Sequence, residues 1–142
     1  MGQSTDAILV FGIDFGEEPE HEFFAMLRDE DEDGDIIEAF DTFVNRELGI
    51  PGQGDDDYPG YKAAEEMRGK YPVTLVRHCS CDYPMYILAI PGTHVSASRG
   101  YPQTIDPDDM DIPRKKMDAF LNWCEKHGID DDGAWLLCSD WC

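Results

Sequence analysis

Positive charge is scarce in this sequence. Only 11 Lys and Arg stand against 31 Asp and Glu, a formal net charge of −20 over 142 residues. The shortage is regional. Residues 14–66 hold 19 acids and three bases (Arg28, Arg46 and Lys62), a net of −16, whereas residues 67–105 hold one acid, Asp82, and four bases, a net of +3. A field of that sign repels nucleic acid and anionic membrane and attracts basic partners. It excludes direct DNA or RNA binding through a basic surface.

Long apolar runs are missing too. The longest are Ala7–Phe11, Tyr86–Ile90 and Ala134–Cys138, far short of the ~20 residues a membrane-spanning helix needs. No basic residue precedes the first apolar run, so the start does not read as a signal peptide. Asp6 stands where a myristoylation signal has Ser or Thr. The cytoplasm is the expected location. Five cysteines form an odd set without regular spacing, and in a reducing compartment they read as free thiols.

What is present supports a folded chain. Hydrophobic residues make up 42%, with seven Phe, six Tyr and three Trp. A domain of this length buries about 68–70% of its unfolded surface, so one acidic domain over 1–142 is expected. Ala7–Ile13 reads as a buried strand. Glu22–Arg28 suits a short helix, and Asp35–Leu48 places Ile36, Ile37, Phe40, Phe43 or Val44, and Leu48 on one helical face, ended by Gly49 and Pro51. Gly52–Gly60 reads as loop and Tyr61–Lys70 as helix. Val73–Cys79 and Met85–Ile90 form a hairpin across Ser80–Pro84, and Thr93–Ser98 extends the sheet. Asp106-Pro107 and Asp111 offer helix starts. Pro113–His127 is a helix with Met117, Phe120, Leu121 and Cys124 on one face and Gly128 as a left-handed cap. Ala134–Trp141 is a last strand. The class is α+β: a mostly antiparallel sheet of about four strands with two to four helices packed on it.

Several constellations bear on chemistry. Asp29, Asp31, Asp33, Gly34 and Ile36 match the opening of a calcium loop, with Asp35 in the run. The bidentate Glu expected at the twelfth position is replaced by Phe40, and a solvated acidic turn explains the same letters. Asp14 at a strand end is a second candidate for Mg²⁺, or a polar turn residue. His78, Cys79 and Cys81, with Cys124, Cys138 and Cys142 elsewhere, supply zinc-ligand types, but C-x-C and C-x₃-C are poor knuckles. Cys79 or Ser96 with His78 or His94 and an Asp would serve a hydrolase or transferase only if the side chains meet. Gly12-Ile13-Asp14-Phe15-Gly16 resembles the first phosphate loop of the actin and sugar-kinase ATPases, but Glu17 and Glu18 follow and the chain is too short for that fold. No motif names a reaction, so a binding protein is favoured over an enzyme.

The acids themselves form the leading candidate. Duplex DNA carries one negative charge per about 1.7 Å of axis, and a protein that copies that density on a rigid face can occupy a DNA-binding channel. Glu17, Glu18, Glu20, Glu22, Asp29, Asp31, Asp33, Asp35, Glu38, Asp41, Asp55, Asp56 and Asp57 would supply the charge. The plainer alternative is solubility. Aromatic and sulfur residues are also dense around 78–89 and 135–142. They read as the core of two neighbouring strands, with Tyr86 and Trp135 packing, or as a recognition surface.

Three stretches carry a resemblance: Asp6–Leu9 with Gly12–Gly16, His78–Ser80 with Tyr83–Ala89, and Trp135–Trp141. Arg99–Pro102 belongs to the same pattern. Together they resemble small uncharacterised proteins encoded by bacteriophages of actinobacteria. The resemblance implies a phage origin, action inside the host cytoplasm and no known activity, so no functional residue is carried over. Combined with the charge, it leads to the expectation of a phage accessory protein that modulates a basic host protein, one that itself binds nucleic acid. A Ca²⁺ or Mg²⁺ module and a Cys/His enzyme are the alternatives.

Overall fold

The structure is a computed structural model and describes residues 5–17, 21–30, 35–50 and 58–141. It is α+β: among the described residues there is a five-stranded mixed sheet, mostly antiparallel, with four α-helices. The chain divides into two compact units, Met1–Glu20 with Pro72–Cys142, and His21–Tyr71. Among the described residues no helix is long and apolar enough to cross a membrane.

The first unit is built on β1 (Thr5–Gly16), β2 (Thr74–Ser80), β3 (Pro84–Ala89), β4 (Val95–Ser98) and β5 (Ala134–Trp141). The order is β3-β2-β5-β1-β4, and β1 also pairs with β3. Four strands, β1, β3, β2 and β5, therefore return on themselves as a small barrel. All pairings are antiparallel except β2–β5, which is parallel and only two rungs long, Cys79 with Asp140 and Ser80 with Trp141.

Strand alternation fills the barrel. Ile8 faces Cys138, Val10 faces Leu136, and Val76 faces Ile87. Ile8, Val10, Ile87 and Ala89 form a buried cluster with Val76, Leu136 and Cys138 packed against it. Gly12 sits opposite Ala89, where a side chain has no room. On the other face of β1, Phe11 meets Trp135 edge to face with ring centroids 5.7 Å apart. Phe11 also meets Phe120 of α4 (Arg114–Lys126) at 6.4 Å. Phe120, Trp123 and Cys124 are the buried residues of that helix, and Met117 and Leu121 are half-buried. Gly128 has φ +74, and Ile129 N–H donates to the Cys124 carbonyl, the left-handed helix end expected from the sequence.

β1 exchanges partners at its middle. β4 pairs with its first half and β3 with its second. At the changeover the Phe11 N–H donates to the Thr93 hydroxyl at 3.2 Å, and that hydroxyl donates to the Ile90 carbonyl at 2.7 Å. One threonine thus replaces a missing ladder acceptor and avoids an orphaned buried N–H.

The second unit holds α1 (Glu22–Glu30), α2 (Ile36–Leu48) and α3 (Tyr58–Gly69). Phe23 packs edge to face on Phe24, Phe40 and Phe43. Asp35 caps α2 by accepting from the Ile37 N–H at 2.9 Å. Gly49, at φ +68, ends it, with Ile50 N–H donating to the Asn45 carbonyl. Ala39, Phe40, Phe43 and Val44 are its buried face.

Two expectations need correction. Asp14 is a strand residue opposite Ile87, not a turn residue, because long-range pairing with β3 overrides the local Gly12 and Gly16 signals. Tyr58–Gly60 is helical, not loop, since Pro in a first helical turn forfeits no hydrogen bond.

Candidate functional site

Chemistry-bearing residues gather in two places, one per unit. In the helical unit, Glu22 opens α1 and Asp29 lies in its last turn, both exposed. Asp35, Glu38 and Asp41 follow at three-residue spacing along the first turns of α2, all exposed. At about 1.5 Å of rise per residue, these three carboxylates climb one face of a single helix. Their fields overlap. The Asp41 carboxyl is pushed up from its ordinary value by burial first, with Asp35 and Glu38 adding to the rise and Arg68 opposing it. Glu17, at the end of β1, is exposed. Glu18, Glu20, Asp31, Asp33, Asp55, Asp56 and Asp57 lie outside the described residues.

The calcium-loop candidate is therefore described only at its ends. Asp29 is helical, and one carboxylate oxygen of Asp35 is taken by its capping bond. Among the described residues no group of three His, Cys, Asp or Glu side chains is arranged to hold a metal ion. Asp14 accepts from the Gly16 N–H at 3.0 Å.

The second place is the barrel. His78 follows Val76 on the inward face of β2, opposite Met85. Its side chain is buried, and its Nε2 has no hydrogen-bond partner. Burial lowers its basicity from the usual histidine value, with Asp14 and then Asp140 pulling the other way. Cys138, on the inward face of β5, is pushed up by burial and then by the same two carboxylates. With the His78 imidazole less basic than usual and the Cys138 thiol harder to ionise, neither residue is primed for a thiolate–imidazolium pair. His94 and Ser96, the other members considered for a hydrolase, are exposed.

The cysteines differ from expectation in one respect. Cys79, Cys124 and Cys138 are free, but Cys81 is disulfide-bonded. The odd count and irregular spacing favoured five thiols; chain folding brings a sulfur partner to Cys81 that linear spacing does not reveal. Cys79 itself is half-buried and has φ +78, the sole positive value at a non-glycine residue among those described.

The aromatic-rich strands have both buried and exposed side chains. Tyr86 is buried and Trp135 packs on Phe11, while Leu137, Trp141 and Tyr83 are exposed, Leu137 at 79%. Sequence reasoning singled out His78 and Cys138 but missed Asp140. The alternation of Leu136, Cys138 and Asp140 along one strand was the available signal, an acid on an inward face. No protein-family model, curated protein or solved structure matches the chain.

Proposed function

We propose that this is a phage accessory protein of the host cytoplasm that binds a basic host protein through its acidic helical unit, in the manner of a nucleic-acid mimic. The observation that carries the reading is α2. It is capped at both ends and buried along Ala39, Phe40, Phe43 and Val44, so it holds Asp35, Glu38 and Asp41 close enough for their fields to couple. A basic surface meets these carboxylates with opposite charge, which steers and orients binding. The partner's chemistry follows: a Lys- and Arg-rich groove that otherwise accepts phosphates.

Pull-down from host lysate at low salt should recover a nucleic-acid-binding protein, and added duplex DNA should compete for it. The double reversal Asp29→Lys with Glu38→Lys leaves the Asp35 cap intact. It should slow association and flatten the salt dependence of binding, weakening affinity about tenfold at low salt. Recovery of no basic partner, or unchanged affinity after the reversal, overturns the proposal.

A further inference from the structure

The end of β2 places a free thiol two residues from a disulfide. Cys79 is a free, half-buried cysteine and Cys81 is bridged. Two residues of extended chain separate their Cα atoms by at most about 7 Å, near the upper end of the span that a disulfide accepts. Cys79 also holds a left-handed backbone, a conformation that non-glycine residues keep only where the surroundings impose it. It lies on the two-rung β2–β5 seam, opposite Asp140. The remaining described thiols are poor competitors. Burial comes first in holding both protonated, pushing Cys124 up to about 11 and raising Cys138.

We propose that Cys79 and Cys81 form a thiol–disulfide exchange site, with Cys79 the attacking thiol. Cys79 gives its proton to solvent, and its sulfur attacks Sγ of Cys81. A Cys79–Cys81 bond forms as the bond from Cys81 to its present partner breaks. The partner sulfur leaves with the electron pair as a thiolate and takes a proton from water. One disulfide and one thiol stand on each side, so no oxidant is needed. Exchange moves the bridge to a tight loop at the end of β2, beside the shortest ladder of the barrel. In a reducing compartment, disulfides are typically transient and redox-sensing, which is the behaviour this arrangement gives. The chemistry does not depend on which partner the acidic unit binds.

Peptide mapping tests it. Cleavage after Arg77 and Arg99 yields one tryptic peptide, residues 78–99, holding Cys79, Cys81 and no other cysteine. In the starting state this peptide is cross-linked to a second peptide and Cys79 takes alkylating agent. Native protein held at about pH 8, then acid-quenched and alkylated, should release peptide 78–99 uncrosslinked, unalkylated and two hydrogens lighter than its dithiol form. Cys79→Ser should abolish that species, and Cys138→Ser should not. A cross-link that persists with Cys79 fully alkylated at every time point overturns the proposal. So does loss of the cross-link at the same rate in Cys79→Ser.

Discussion

Gly12 is the point at which the barrel is most easily broken. A Cβ built there would lie 2.4 Å from the Leu88 carbonyl oxygen, 2.8 Å from Ile87 Cγ2 and 2.9 Å from Ala89 Cα. Optimal separations between nonbonded carbons are about 3.5–4.0 Å, so each contact with carbon falls short by roughly 1 Å. Two of the three neighbours are backbone atoms of β3, which is held by ladders to both β1 and β2. They cannot yield singly. Overpacking of this kind costs about 1–3 kcal/mol, and a clash with backbone belongs at the upper end. Removing glycine's freedom in the unfolded chain gives back about 0.4–1 kcal/mol. Gly12→Ala should therefore destabilise the barrel unit by about 2 kcal/mol, close to thirtyfold in its folding equilibrium. Trp123, Trp135 and Trp141 all belong to this unit, so urea unfolding followed by tryptophan fluorescence reads it directly. The midpoint should fall with the slope unchanged. A variant within about 0.5 kcal/mol of the parent would refute the closed-barrel packing at this position.

Two further outcomes follow from the titrating groups. His78 is held neutral in the fold while the unfolded chain protonates it below about its ordinary value of 6.5. The unfolded state then binds the extra proton, so stability is lost as pH falls through that value. The difference in unfolding midpoint between the parent and His78→Asn should change between about pH 7 and pH 5; parallel profiles would refute the assignment. Cys124, raised to about 11, is only about 0.1% thiolate at pH 8. Mass-spectrometric labelling of the native protein should find it orders of magnitude slower than in denaturant, and rapid native labelling would contradict its burial.

Local signals carried much of the fold. β5 spans the range its composition indicates, Ala134–Trp141. The helices around Phe40 and Phe120 stand where apolar spacing and their terminal glycines place them. The hairpin of β2 and β3 follows from two apolar runs and a short connection. Closure was not legible, because it depends on β1 continuing through Asp14 and Gly16 to meet β3, a pairing across about 70 residues that no window of sequence contains. The second place of interest depends on that closure. His78 reads as one half of a local Cys–His pair, but the charges that act on it, Asp14 and Asp140, come from strands at opposite ends of the chain. Charge segregation, by contrast, was visible at once, because it is a property of composition along the chain.

The longest ladder in the molecule joins β1 to β5 over eight register pairs, from Thr5 with Trp141 to Gly12 with Ala134. On the ribosome this makes β1 the strand that waits. Its partner is translated more than a hundred residues later, roughly 6–25 s at 5–20 residues per second. The His21–Tyr71 segment, rich in short-range contacts, can take shape in that interval. Until the final strand emerges, the β5 edge of Thr5–Gly12 stays unpaired even where β3 and β4 have taken the other edge, and an unpaired strand edge is a template for aggregation.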